Sequence, residues 1–255
     1  MKRLVWTRRQ MLLRGSAAFG GLMVGGCDRL SQSPTFLRFL GSAEYFNYRA
    51  QRLVVGQSLA HEFPETDLSP VFRSNGTSNP DNDLYNRLRA GNFADWRLSV
   101  HGLVEQPLEL SLAQLRAMPS RTQITRHDCV EGWSAIGKWS GVPLGSVLDR
   151  AQLNPEARFI VLYCADELER NDGGYYESID LVDAFHPQTL LAYSLNDKPL
   201  AIANGAPLRL RVERQLGYKQ AKYLMRIEAV AQLKDIGAGK GGYWEDRGYE
   251  WYAGI

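Results

Sequence analysis

The chain has 255 residues, 44% of them hydrophobic, enough to bury a core in one large domain, alone or with a small appendage. Its net charge of +2 arises from interspersed signs with no long Lys/Arg run, which argues against a nucleic-acid partner. It has no Cys-x-x-Cys-His haem-attachment motif, and its three cysteines do not make an iron–sulfur set.

Residues 1–27 read as an export signal, set aside from fold reasoning. Thr7-Arg8-Arg9-Gln10-Met11-Leu12 pairs two arginines ahead of a weak Gly/Ala-rich apolar run, interrupted by Arg14, that is too short to span a bilayer. It resembles a twin-arginine signal, a route that moves folded proteins. Val24-Gly25-Gly26-Cys27 resembles a lipobox, and Asp28 after it resembles an inner-membrane retention signal. The expected location is the bacterial periplasm, with a lipid on Cys27 as the one membrane attachment. Cys129 and Cys164 then remain, and in an oxidising compartment they could pair.

Residues 28–70 are expected to form a helical extension and linker. Ala43, Phe46, Ala50, Leu53 and Val54 predict a helix over 42–60, and Pro64 and Pro70 mark the linker. A loop runs from Val71 through Asn79-Pro80-Asp81. Alternation predicts a strand over 96–102, and Ser111 with Gln114 has the capping-box spacing of a short helix ending before Pro119. A β-like run over 122–125 leads to Cys129, and a helix follows over 143–153. Strands are predicted over 158–164, 175–179, 190–195, 208–212 and 223–230. A helical turn over 181–185 stops at His186-Pro187, and Asn196-Asp197 makes a hairpin turn. The fold class is α+β: a mostly-β mixed fold with short peripheral helices and no doubly wound alternation. The aromatic tail over 242–252 is expected to strap the domain, with a contribution to a cleft rim or a partner surface as the other roles.

Chemistry gathers around Arg126-His127-Asp128-Cys129-Val130-Glu131-Gly132-Trp133. A thiol among charges suits a soft-metal ligand or a nucleophile, and equally a half-buried structural cysteine or half a disulfide. Three loops downstream, His186-Pro187-Gln188-Thr189, Asn204-Gly205-Ala206-Pro207-Leu208-Arg209 and Gly217-Tyr218-Lys219-Gln220-Ala221-Lys222, offer groups for an anionic, hydrogen-bond-rich ligand.

In this order the four motifs resemble the molybdopterin-binding domain of the sulfite oxidase family, over roughly residues 72–233. The Cys-x-Glu version is most like the bacterial periplasmic methionine sulfoxide reductase catalytic subunits. The resemblance implies a molybdopterin-binding oxidoreductase domain over residues 71–255, with a Mo-molybdopterin cofactor and Cys129 as the protein's metal ligand. It implies that Asn75, Cys164, His186, Asn204, Arg209, Gln220 and Lys222 hold the pterin and its phosphate. Cys164 stands where the reductases have Thr, and Ser78-Asn79 where they have Tyr-Glu. Glu131 is expected to position substrate or relay a proton, with Tyr176 or Tyr175 in the pocket. The implied activity is a two-electron oxygen-atom transfer with a small sulfoxide or related oxide, fed by a separate membrane haem or quinone-linked protein. The alternatives are a sulfite-oxidising dehydrogenase, or a metal-free lipoprotein binding module stapled by Cys129–Cys164.

Overall fold

Two five-stranded sheets organise the chain, which is described here from a computed structural model over residues 32–168 and 174–255. The export signal and Cys27 lie outside the described residues. Contacts divide the chain after Gly56 into two units.

In the first unit, α1 (Pro34–Val55) starts earlier than the periodicity predicts. Ser33 accepts a hydrogen bond from the Phe36 N–H, and Pro34 occupies the first turn, where its missing N–H costs nothing. The helix stops at Gly56, and none of its residues is buried. No described helix is long and apolar enough to cross a membrane.

In the second unit, one sheet has the order β2-β1-β10-β5-β6. Its strands are β1 (Arg97–Gly102), β2 (Leu108–Ser111), β5 (Phe159–Cys164), β6 (Tyr176–Asp180) and β10 (Leu224–Val230). Only the β1–β10 pair is parallel. The other sheet runs β3 (Arg121–Asp128), β4 (Ser134–Pro143), β7 (Leu190–Leu195), β8 (Lys198–Pro199), with β9 (Arg209–Arg211) also paired to β7. Leu98, Val100, Ile160, Leu162 and Ile227 form the main core with Leu144, Val147 and Leu148 of α4 (Leu144–Ala151). The short α3 (Leu112–Ala117) carries both halves of the predicted capping box. Asn196 and Asp197 take φ of 51° and 61° between β7 and β8, as the right-handed twist of a hairpin demands.

The sequence reading missed β2, α2 (Asp83–Ala90) and β4. α2 is polar and buries only Tyr85, so it shows little apolar periodicity. β4 carries Gly137 and Gly141, which imitate a loop; at Gly141 a Cβ would lie 2.3 Å from the Leu191 carbonyl oxygen, so the neighbouring strand requires the glycine. Residues 57–70, expected as the end of the helix and a linker, leave the helix at Val55 and are tied into this unit. Ala60 N–H donates to Gln188 Oε1 (2.7 Å), Phe63 N–H to the Ile124 carbonyl (2.9 Å) and Ser69 N–H to the Ile136 carbonyl (3.1 Å).

Candidate active site

The end of β3 delivers Cys129 to the lip of a cavity with about 750 Å³ of empty space including its open mouth. A tight turn returns the chain into β4: Cys129 N–H bonds the Trp133 carbonyl (2.9 Å), and Gly132 N–H bonds the Cys129 carbonyl (3.0 Å). Loop 75–77, Asp166, Leu168, Tyr175, the 217–222 segment and the C-terminal strap supply the other walls. Of the residues predicted from sequence, Asn75, Cys129, Glu131, Gln220 and Lys222 meet around this one space.

Burial raises the Cys129 thiol, and the Glu131 carboxylate adds to the effect; the N–H groups of Glu131 and Val130 and the Arg73 guanidinium oppose it. A metal ion overrides such a rise, because a coordinating thiol gives up its proton outright. Cys129 and Cys164 are both free thiols. The disulfide-stapled alternative is therefore overturned.

The cavity floor is under-satisfied. Asn75 Oδ1 and Gln220 Oε1 are buried without a well-formed hydrogen-bond partner, Gln220 reaching only toward the His127 ring, a state that costs about 1–3 kcal/mol per group unless something fills it. Lys222 Nζ donates to the carbonyls of Asn75 (2.5 Å), Ala203 (3.1 Å) and Thr77 and to Ser74 Oγ (3.4 Å), none of them a carboxylate. Burial and the Arg209 guanidinium pull it down from 10.5 to about 7. Arg209, fully buried, donates to the carbonyls of Asn204 (3.0 Å) and Gln220 (3.3 Å) and stacks over Trp139 (5.0 Å), while its Nε stays unpartnered. Burial lowers it to about 9, still charged at neutral pH. Neither buried cation has an ion-paired acid: Lys222 feels Asp166 and Glu131, and Arg209 feels Glu213, only at longer range. Two such cations and two unanswered amide oxygens are what a hydrogen-bonding heterocycle with a phosphate would complete. The residues present fit molybdopterin.

Asn204, Arg209 and Cys164 do not line the cavity. The first two brace the loops that do, and Cys164 sits at the end of β5, its thiol raised by burial. Two expectations are corrected. His186 lies elsewhere, one ring nitrogen 3.2 Å from the Ser58 carbonyl and the other accepting from Gln188 N–H at 3.3 Å. Tyr176 is turned away, its hydroxyl donating to Asp246, and Tyr175 lines the cavity in its place.

Sequence reasoning also missed His127 and Arg211. Arg209 and Arg211 alternate with Leu208, Leu210 and Val212, so both arginines share one face of β9; that signal was available. Arg211 pairs with Glu213 (2.5 Å) and donates to His127 Nδ1 (3.0 Å). A guanidinium only donates, so neutral His127 carries its proton on Nε2. Burial, then Arg211 and Arg209, depress His127 well below the usual imidazole value. Gly217 packs on that ring, where a Cβ would come within 2.6 Å of Nε2.

Residues 87–235 match the family model described as the oxidoreductase molybdopterin binding domain. The chain belongs to this family. It is 35% identical over 247 residues to an Azospira oryzae protein named "Putative protein-methionine-sulfoxide reductase subunit YedZ1", covering 96% of this chain and 87% of that protein. It is 38% identical over 152 residues to the protein-methionine-sulfoxide reductase catalytic subunit MsrP of Xanthomonas axonopodis pv. citri, covering 56% of this chain and 47% of that one. The chain thus spans about half the length of that relative. Among solved structures, the sulfane dehydrogenase SoxCD of Paracoccus pantotrophus superposes with a TM-score of 0.50 at 24% identity, over 55% of this chain and 39% of that one. That likeness shows a shared fold. The protein is accordingly a molybdopterin-dependent oxidoreductase with an α+β, mostly-β fold.

Proposed function

We propose that the protein is an exported molybdoenzyme that reduces a small sulfoxide or related oxide. The observation carrying this is the free Cys129 thiol sharing one cavity with the unanswered oxygens of Asn75 and Gln220 and with Lys222, whose hydrogen bonds go to carbonyls and a hydroxyl and to no carboxylate. Cys129 would ligate the metal. Asn75, Gln220 and Lys222 would hold the pterin and its phosphate, with Asn204 and Arg209 fixing their loops from behind. When bound, the cofactor supplies a two-electron couple and oxygen-atom exchange. In the net conversion the sulfur–oxygen bond breaks, sulfur keeps the electron pair, and oxygen leaves as water with two protons and two electrons from a reductant.

The chain's own part is binding and proton handling. Glu131 Oε2 accepts the Trp133 indole N–H at 2.8 Å, which leaves Oε1 to carry a proton into the cavity. The relatives named as methionine-sulfoxide reductase subunits favour a sulfoxide. A sulfite-oxidising dehydrogenase fits less well, since an anionic substrate would have to approach the Glu131 carboxylate.

The sequence holds no haem-attachment motif, which supports a separate membrane haem or quinone-linked electron donor. The Arg8-Arg9 signal supports twin-arginine export to the periplasm, and Val24-Gly25-Gly26-Cys27 supports lipid anchoring at the inner membrane.

The test is elemental analysis of exported protein with viologen-linked turnover. Stoichiometric molybdenum and reduction of methionine sulfoxide or dimethyl sulfoxide are expected, both lost in Cys129→Ser. Sulfite-dependent dye reduction without sulfoxide turnover would sink the reading.

A further inference from the structure

The cavity has a wall drawn from beyond the family-matched residues 87–235. Trp244 and Tyr249 stack with ring centroids 5.3 Å apart and planes 29° from parallel. Tyr218 meets Tyr249 edge-on at 5.1 Å. These rings line the same space as Cys129 and Glu131, and Tyr249 keeps 41% of its surface exposed.

The strap that carries them is fixed. Glu245, next to Trp244, is fully buried and pairs with Lys219 at 2.5 Å. Trp251 Nε1 donates to Ser178 Oγ (2.8 Å), and the Tyr218 hydroxyl donates to the Glu250 carbonyl (2.6 Å). A stack held in this way presents a rigid apolar surface at little entropic cost on binding.

We propose that the Trp244–Tyr249 stack is the substrate-side wall of the active cavity and selects uncharged sulfinyl compounds by their alkyl or aryl substituents. The proposal rests on the sulfoxide reading above and names the feature of the substrate that the protein recognises. Sulfur and its alkyl groups pack favourably against aromatic rings. A small hydrated anion gains nothing from that surface and meets Glu131 across the cavity. Each methyl or methylene seated in an apolar pocket shifts kcat/KM by about 10- to 200-fold, so a ring-sized substituent should be well distinguished from a methyl group.

The experiment compares dimethyl sulfoxide with methyl p-tolyl sulfoxide on holoenzyme of wild type, Trp244→Ala, Tyr249→Ala and Trp244→Phe, with molybdenum content and melting temperature as controls. Wild type should prefer the tolyl compound. In the alanine variants that preference should fall about tenfold, through KM with kcat nearly unchanged, and Trp244→Phe should restore most of it. A preference unchanged in both alanine variants, or a loss confined to kcat, overturns the wall. If wild type reduces no sulfoxide, it is the sulfoxide reading that has failed, and saturation-transfer NMR of methyl p-tolyl sulfoxide on the holoenzyme then decides the wall alone. Binding that weakens in the alanine variants supports it; no binding to wild type, or binding equal in all variants, overturns it.

Discussion

Lys219 and Lys222 stand three residues apart on one loop, both buried, and their surroundings are opposite. Lys219 lies between the carboxylates of Glu177 and Glu245, each at 2.5 Å, with the Trp251 ring 5.2 Å away. Although burial alone would lower it, the two carboxylates raise it. Lys222 has carbonyl and hydroxyl oxygens for hydrogen-bond partners; burial and the Arg209 charge outweigh the longer-range pull of Asp166 and Glu131, and it falls to about 7. A cation already matched by acids serves the fold, and Lys219 ties β6 and the strap to the 217–222 segment. A cation with no acid in direct contact, beside unanswered amide oxygens, marks the place where the protein expects an anion from outside.

Lys219→Met breaks the matched site and should produce the largest effect. It strands two buried carboxylates, a loss of about 3–5 kcal/mol by the measure of other buried ion pairs deprived of one partner. Denaturant unfolding of the cofactor-free protein would read it. A loss below about 1 kcal/mol, the scale of an exposed pair, would erase the contrast between the two lysines. Lys222→Met should do the reverse: molybdenum and pterin content drop severalfold, while the cofactor-free protein melts no lower than wild type. Full cofactor occupancy in Lys222→Met would remove Lys222 from the phosphate site.

Titration sharpens the same contrast. With Lys222 near 7 in the folded protein and 10.5 unfolded, the unfolded chain binds the extra proton between those values, so this group makes cofactor-free stability rise as pH rises from about 7 toward 10.5. The stability present above 10.5 is lost as pH falls through that window. Urea midpoints of wild type and Lys222→Met across it should converge at high pH and separate toward neutrality. Parallel curves would mean that Lys222 is as readily charged when folded as when unfolded.

Much of the fold was legible in the sequence because its strands are dense in β-formers and its turns are chemically marked. Residues 158–164 and 190–195 gave β5 and β7 almost residue for residue, and Asn196-Asp197 gave the hairpin after β7. β4 was not legible, since the Gly141 that the crowded sheet requires is the residue that makes the segment resemble a loop. The site divides in the same way. Cys129 stood out by its own charged setting, whereas Asn75, Gln220 and Lys222 look ordinary singly and were marked only by the order of motifs that resembles the family; the four meet at one cavity. The aromatic composition of 242–252 marked a strap and, as another role, a cleft rim, but that Trp244 and Tyr249 are the residues that reach the cavity depends on the strap folding back over β6, a long-range event. His186 misled because its nitrogens are already committed to backbone: one accepts from the nearby Gln188 N–H, and the other meets the carbonyl of Ser58, 128 residues away in sequence, which no local pattern shows.

Tyr176 is where the smallest effect is expected, on the strap's side of the contrast. Its hydroxyl is committed to Asp246, and that carboxylate also receives the N–H groups of Ala238 (2.7 Å) and Lys240 (2.9 Å). Burial and then the Asp246 carboxylate raise the phenol above its ordinary value, which suits a structural donor and not an acid serving the cavity. Tyr176→Phe leaves Asp246 with two backbone donors, so it should cost about 0.5–1.5 kcal/mol of stability and leave kcat/KM for sulfoxide within about twofold, below about 0.5 kcal/mol in barrier. Tyr175→Phe supplies the comparison, because the Tyr175 hydroxyl donates to the Tyr218 carbonyl at 2.5 Å and its ring lines the cavity. A hundredfold loss in Tyr176→Phe at full molybdenum content would put that hydroxyl on the reacting oxygen, and the strap would have to swing away from Asp246 during turnover.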